Sequence, residues 1–165
     1  MNAKKIFTTF ICFFVLAFGI QTLNAQTEKT NLTDIELKLN NNKTVKMAEL
    51  KGKVVLFDFW YRGCFPCLKA IPDLIKLQEE FKDDLVIIGI NDVDDQEDVT
   101  GYFEYKGVNY FSTYKTNNNI SKTLKVTAFP TTVLYDRQGN IIQTNTGYSK
   151  AGMRSLRKAI RNAVR

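Results

Sequence analysis

The sequence predicts an α/β domain built around a central sheet that contains a parallel pair of strands. Two apolar runs, one starting at Val54 and one over residues 84–91, are rich in β-branched and aromatic side chains, as in strands buried on both faces. Between them, apolar residues recur at helical spacing from about residue 64 to 81. A strand, a helix and a second strand in this order form a right-handed unit with parallel strands.

The segment before the domain has the composition of an export signal. Lys4 and Lys5 precede an apolar stretch over residues 6–20, and Ala25 ends a predicted cleavage site. Leu23, two positions before Ala25, is larger than the small residue usually found there. An uncleaved membrane anchor therefore stays open as the alternative.

Either outcome exports the domain, so we expect it in the periplasm or another extracytoplasmic space, soluble after cleavage or anchored by residues 6–23. Residues 26–31 are polar and without periodicity, which predicts a linker, and residues 32–165 form the predicted domain. The formal charge is +6, and removal of residues 1–25 leaves 21 basic and 17 acidic residues. Such a mild excess gives no reason to expect nucleic-acid binding.

The parts before and after the parallel unit are predicted from alternation and turn residues. Residues 32–47, interrupted by Asn40-Asn41-Asn42, alternate as in a β-hairpin, which we expect to cover an edge of the sheet. Carboxylates from residue 92 to 98 are expected at the start of a helix over about 94–106, where they complement its dipole. We expect the aromatic residues that follow to pack in the core and its rim: Tyr102, Phe103, Tyr105, Tyr110, Phe111 and Tyr114.

The C-terminal part is predicted to contain a short strand over 109–113, a short helix from Asn117 to about Val126, and an antiparallel hairpin. The first hairpin strand is opened by Pro130, where a cis peptide bond fits, and the second runs over 140–146. A final amphipathic helix over about 149–163 carries a basic face, which we interpret as solvated rather than as a docking surface.

The cysteines indicate the chemistry. Of three cysteines, Cys12 lies in the predicted signal, so only Cys64 and Cys67 belong to the domain. Two cysteines exclude a multi-disulfide scaffold, and the chain has no histidine to complete a zinc site. A haem attachment site needs histidine at position 68, where Leu68 stands. Disulfide exchange is the favoured interpretation over an inert buried pair, because Cys64 is predicted at a helix start, where free amides and the helix dipole favour a thiolate.

Several motifs reproduce the spacing of one known fold. The segment Asp58-Phe59-Trp60 is followed after three residues by Cys64-Phe65-Pro66-Cys67, and Pro72 comes five residues later. Phe129-Pro130-Thr131 matches a cis-proline loop, and Gly147 matches a glycine after the last strand. The chain therefore resembles the thioredoxin fold.

Within that fold, the chain resembles the exported TlpA/ResA-like thiol-disulfide oxidoreductases over about residues 32–162. The N-terminal β-hairpin and an extra αβ segment between about 92 and 113 are similar to that group rather than to plain thioredoxin. The resemblance implies a thioredoxin fold with these two additions, a redox-active Cys64–Cys67 disulfide, and no metal or other cofactor.

The resemblance also implies residue roles. Cys64, exposed at the helix start, would attack a partner disulfide, and Cys67 would resolve the mixed disulfide. Asp58, with its pKa raised by burial, would accept the proton of Cys67. Substrate would contact the surface around the cysteines, predicted to comprise Trp60, Gly63, Phe65, Pro66, Phe129, Pro130 and Thr131. Gly63 stands where the family usually has tryptophan, and Phe129 stands where it usually has a smaller aliphatic residue. Both residues are therefore expected to determine which partners the chain binds.

The predicted function is reduction of disulfides in exported proteins, including apocytochromes during c-type haem attachment, with electrons from a membrane donor of the thiol-reducing type. Phe65-Pro66 places no histidine between the cysteines, which favours a reductant, whereas Arg62 weakly favours an oxidant. A dithiol oxidant or isomerase, and a non-enzymatic binding module, stay open as alternatives.

Overall fold

The structure, a computed structural model, describes residues 35–116 and 119–165. The predicted signal or anchor, the linker, the first residues of the predicted hairpin, Asn117 and Asn118 lie outside the described residues. The strands are β1 (Glu36–Lys38), β2 (Thr44–Lys46), β3 (Val54–Phe59), β4 (Leu85–Ile90), β5 (Phe111–Ser112), β6 (Thr131–Tyr135) and β7 (Ile141–Thr146). The helices are α1 (Phe65–Glu80), α2 (Gln96–Lys106), α3 (Ile120–Thr123) and α4 (Lys150–Ala163), with a 3-10 turn at Met47–Leu50.

Five strands form one mixed sheet in the order β5-β4-β3-β6-β7. The central strand β3 is parallel to β4 and antiparallel to β6, and all six of its residues are buried. The predicted strand–helix–strand unit is therefore β3-α1-β4. This mixed sheet flanked by helices confirms the predicted α/β fold class.

Alternation along β3 divides the core into two layers. Leu56 and Trp60 pack with α1 and α4 in one cluster, which also contains both cysteines. Phe57 and Phe59 pack on the other face with the N-terminal hairpin and α3. Because side chains alternate along a strand, Asp58 lies on the face that carries α1 and the cysteines.

The predicted N-terminal hairpin is present as β1 and β2, which pair antiparallel. Its turn continues onto the edge strand β5: the Asn40 N–H donates to the Ser112 carbonyl at 2.8 Å, and Leu39 bridges to Thr113. Leu37 is buried against the second core layer. The hairpin therefore covers the β5 edge, as predicted.

Some predicted details are wrong. The helix expected to reach Val126 ends at Thr123, and β5 contains only two residues. Tyr105 is 80% exposed and Phe111 48% exposed, so these two rings lie outside the core that the other aromatic residues join. Tyr105 is exposed because it lies on the outer face of α2, a helix that buries only Val99 and Phe103.

The basic face of α4 is partly engaged by α1. Arg157 and Arg161 both form ion pairs with Glu80, and Lys150 pairs with Asp73. These contacts fix α4 against α1 across the sheet face that contains the cysteines. Within the described residues, no helix combines the length and apolarity needed to cross a membrane.

Candidate active site

The two cysteines lie where β3 passes through a short loop into α1. Cys64 is the N-cap of α1, and its Sγ accepts a hydrogen bond from the Cys67 N–H at 3.3 Å. Pro66 occupies the first turn, where its missing N–H is not needed. Cys64 and Cys67 form a disulfide with a Cα–Cα distance of 5.2 Å, inside the usual range for such bonds.

The expectation that Cys64 is exposed is wrong for the disulfide form. Cys64 is 5% exposed and Cys67 is fully buried, because the disulfide draws both sulfur atoms against the first turn of α1. The exposed surface beside them comes from their neighbours Gly63, Phe65 and Pro66. Phe65 is 66% exposed, so an approaching protein meets an apolar ring beside the sulfur atoms.

Asp58 is the buried carboxyl group of the site. It is 1% exposed, and neither of its side-chain oxygen atoms has a hydrogen-bond partner among the described residues. Burial disfavours the charged form and raises the pKa of Asp58 from 3.8 to about 7. A carboxyl group with such a pKa can take up and release a proton at neutral pH.

The cis-proline loop lies beside the same end of β3. The Phe129–Pro130 bond is cis, and Thr131 pairs with Phe59 of the central strand. The Gly147 N–H donates to the Pro130 carbonyl at 2.7 Å, and the Phe129 ring meets the Tyr61 ring edge-on at 5.5 Å. The loop before Cys64 and the cis-proline loop therefore form one continuous surface.

Trp60 does not belong to that surface. It is fully buried, because it continues the inward alternation of β3. Its Nε1–H donates to the Ser112 Oγ at 2.9 Å, and its ring stacks on Phe103 at 5.1 Å. Its predicted contact with substrate is therefore replaced by a packing role behind the active-site loop.

Gly89 makes this position of Trp60 possible. A Cβ at Gly89 would lie 2.8 Å from the Trp60 Nε1 and 2.6 Å from the Ser112 Oγ. The indole and the serine hydroxyl therefore meet over a residue without a side chain.

The remaining predicted contact residues divide by exposure. Pro130 and Thr131 are buried. The Thr131 hydroxyl donates to the Ala128 carbonyl, and Thr131 pairs with both neighbouring strands. Phe129 is half-buried, and Gly63, Phe65 and Pro66 are exposed. The roles predicted for Cys64, Cys67 and Asp58 stay predictions, as do the substrate contacts predicted for the other residues of this surface: Gly63, Phe65, Pro66, Phe129, Pro130 and Thr131.

The loop before Cys64 is held by acidic residues of α2 and the segment before it. The Arg62 N–H donates to Asp94 Oδ2 at 2.7 Å, and the Arg62 guanidinium forms an ion pair with Asp98. Asn91 donates to the same Asp94 oxygen at 2.8 Å. We predicted these carboxylates only as partners of the helix dipole. The positive charge of Arg62, two residues before Cys64, was the sequence signal that could have indicated their second role as partners of the active-site loop.

Sequence and fold comparisons agree with this geometry. The profile of the Redoxin family matches residues 27–160. The thiol-disulfide oxidoreductase ResA of Bacillus subtilis is 28% identical over 121 residues, which cover 73% of this chain and 68% of that protein.

Solved structures show the same fold. The thioredoxin domain of a thiol-disulfide oxidoreductase from Bacteroides vulgatus superposes with a TM-score of 0.69 at 24% identity, covering 79% of this chain and 93% of that chain. A thiol:disulfide interchange protein of the thioredoxin family from Chlorobium tepidum superposes with a TM-score of 0.68 at 20% identity, covering 81% and 94%. At these identities the two structures support the fold alone.

Proposed function

The chain belongs to the Redoxin family and carries the fold and cysteine pair of a thiol-disulfide oxidoreductase, and from this premise we propose that it reduces disulfides of extracytoplasmic proteins. The observation that supports this most directly is the Cys64–Cys67 disulfide at the start of α1, beside an exposed apolar surface and a buried carboxyl group.

The proposed reaction starts from the reduced dithiol. The Cys64 thiolate attacks one sulfur of the substrate disulfide, and the other substrate sulfur leaves as a thiolate that takes a proton. Cys67 then passes its proton to the Asp58 carboxylate and attacks the Cys64 sulfur, which releases the second substrate thiolate. Two electrons have moved to the substrate, and the chain holds the Cys64–Cys67 disulfide.

Asp58 suits the second step because burial raises its pKa to about 7. A carboxylate with an ordinary pKa would be a weaker base for a thiol proton. When the disulfide is next reduced, Asp58 returns this proton to the Cys67 sulfur, which leaves as a thiolate, and the starting dithiol is restored. The reduction requires an external dithiol, which we assign to a membrane electron donor of the thiol-reducing type.

The charges around Cys64 support a reductant rather than an oxidant. Oxidants of this kind stabilise the thiolate, and hence the reduced form, by nearby positive charge. This chain contains no histidine, and the one cation in the loop, Arg62, forms an ion pair with Asp98. The Cys67 N–H and the start of α1 are left to stabilise the thiolate.

The location and the substrate are also proposals. The basic and apolar composition of residues 1–25 supports export, with either a cleaved signal or an anchor over residues 6–23. Likeness to the thiol-disulfide oxidoreductase ResA supports disulfides as the substrate. Together with the export that we propose for this chain, this points to disulfides of exported proteins, and we extend the proposal to apocytochromes that must be reduced before haem attachment.

The deciding experiment traps the mixed disulfide. Cys67→Ser in the full-length chain, expressed in cells, is expected to accumulate mixed disulfides with its partners. A reductant should cleave these complexes, and mass spectrometry of the released protein identifies the partner. Cys64→Ser is the matched control, since it keeps one cysteine of the pair but lacks the attacking sulfur. Equal complexes from both variants would contradict the assignment of Cys64, and a Cys64→Ser chain that retains function in cells would support a binding module instead.

Equilibration of the wild-type chain with glutathione redox buffers decides the direction. A reduction potential in the range of thioredoxin, about −270 mV, is expected for a reductant. A potential near about −120 mV, that of the strongest known oxidants, would contradict the proposal and favour the oxidant alternative.

A further inference from the structure

Tyr110 shares the buried space of Asp58. The register aligns Asp58 with Gly89 and Gly89 with Ser112, and Tyr110 stands two positions before Ser112 on the same face. Tyr110 is 4% exposed and belongs to the same core cluster as Trp60 and both cysteines. Gly89 itself adds no side chain to this face, and the Trp60 indole and the Ser112 hydroxyl fill the room over it.

Both residues keep unpaired polar atoms in this space. The Tyr110 hydroxyl and both Asp58 oxygen atoms are buried without a hydrogen-bond partner among the described residues. An unpaired buried oxygen destabilises the folded state, so native proteins pair such groups or place water between them. The charge of Asp58 also raises the pKa of Tyr110, behind the larger effect of burial, which places the two groups within electrostatic reach of one another.

We propose that Tyr110 is a positioning residue for Asp58: its hydroxyl and the Asp58 carboxyl bind one buried water molecule, which donates a hydrogen bond to the carboxylate. A water in a polar cavity takes up several such partners at once. This inference rests on the proposed function, since it concerns the group that accepts the Cys67 proton.

Through this water, Tyr110 would adjust the pKa of Asp58, the proton acceptor. A hydrogen bond to the ionised carboxylate favours that form, and therefore limits how far burial raises the pKa of Asp58. Tyr110 acts as a neutral donor throughout, because its own pKa lies well above the ordinary value. In the oxidised chain Cys64 and Cys67 are joined in the disulfide and do not titrate. The titratable side chains in or at the margin of this cluster are then Tyr110, Tyr61, Tyr102, Tyr114 and Tyr148, and Arg62 acts on Tyr102.

The test compares Tyr110→Phe with Tyr135→Phe in the full-length chain. Tyr135 is the matched control, because its hydroxyl is also buried and without a partner among the described residues, yet it packs against Phe57 on the opposite face of the sheet. The titration of the Asp58 side chain is followed by carbon-13 NMR in the oxidised chain, so the measurement does not depend on turnover.

Tyr110→Phe is expected to move the Asp58 midpoint upward by about one pH unit, the effect of losing one hydrogen bond to a charged group. Tyr135→Phe is expected to leave the midpoint in place. An unmoved midpoint in Tyr110→Phe, or an equal shift in both variants, would overturn the inference. A high-resolution crystal structure of the wild-type chain needs no variant: we expect a water within hydrogen-bond distance of both groups, and a site without it would also overturn the inference.

The NMR midpoint and the trapping experiment separate the role of Tyr110 from the proposed function. If the midpoint does not move while Cys67→Ser still traps partners, Tyr110 has no such role and the proposed function stands. If trapping fails while the midpoint moves, the buried pair exists without the proposed chemistry.

Discussion

Replacing Asp58 by asparagine is expected to stabilise the chain, and to do so only above acidic pH. The pKa of Asp58 is 3.8 in an unfolded chain and about 7 in the folded one, because burial disfavours the carboxylate. The folded chain therefore binds a proton that the unfolded chain releases between these values, so stability falls as pH rises through this window and stays lower above it. At about 1.4 kcal/mol per pH unit, the shift corresponds to about 4 kcal/mol.

The measurement is equilibrium denaturation of the oxidised wild-type chain and Asp58→Asn between about pH 4 and pH 8.5. Asparagine is neutral at every pH, so its effect on packing and unpaired polar atoms is constant and cancels from the trend. The gain in unfolding free energy is expected to grow by about 4 kcal/mol across the range. Asp95→Asn removes the same charge at an exposed position and serves as the control. A difference between Asp58→Asn and wild type that is flat with pH would refute the reasoning.

Two further substitutions test the support of the active-site loop. Gly89→Ala is expected to destabilise the chain by about 1–3 kcal/mol and to quench or shift the fluorescence of the single tryptophan. The reason is that the new Cβ would lie 2.6 Å from the Ser112 Oγ and 2.8 Å from the Trp60 Nε1. Adding Ser112→Ala should restore part of the lost stability, and an unchanged melting temperature in Gly89→Ala would contradict the packing. Asp98→Asn is expected to raise the reduction potential by about 5–20 mV, because an exposed ion pair is worth about 0.2–1 kcal/mol and its loss frees the Arg62 cation beside Cys64. Arg62→Gln should lower the reduction potential. A lower potential in Asp98→Asn would contradict the electrostatic explanation.

The parallel unit and the helix start were predictable because local pattern and tertiary role agree there. β3 and β4 are apolar runs that only Asp58 interrupts with a polar side chain, and both strands are buried on both faces. Cys64 could be placed at the start of α1 because the hydrophobic period changes there. The position of Pro130 in a cis bond followed from its place at a strand start.

The errors concern residues whose surroundings come from distant parts of the chain. Trp60 is buried because Gly89 leaves room for the indole and Ser112 accepts its N–H, and neither is near it in sequence. The partnership of Arg62 with Asp98 spans 36 residues. Tyr110 is an ordinary core aromatic by pattern, and only the sheet register brings it to the face of Asp58.

Asn40 joins the two additions to the thioredoxin core. Its side-chain oxygen accepts from the Ser112 N–H at 3.1 Å, and its carbonyl accepts from both Gln96 and Thr100 of α2 at 3.3 Å. The N-terminal hairpin thus ends on the αβ insertion, and the insertion holds Trp60 through Ser112. The two segments form a single module despite lying on either side of β3 and β4, so they would be gained, lost or transplanted between relatives as a pair. A chimera that exchanges one without the other would leave buried amide and carbonyl groups unmatched behind the active-site loop.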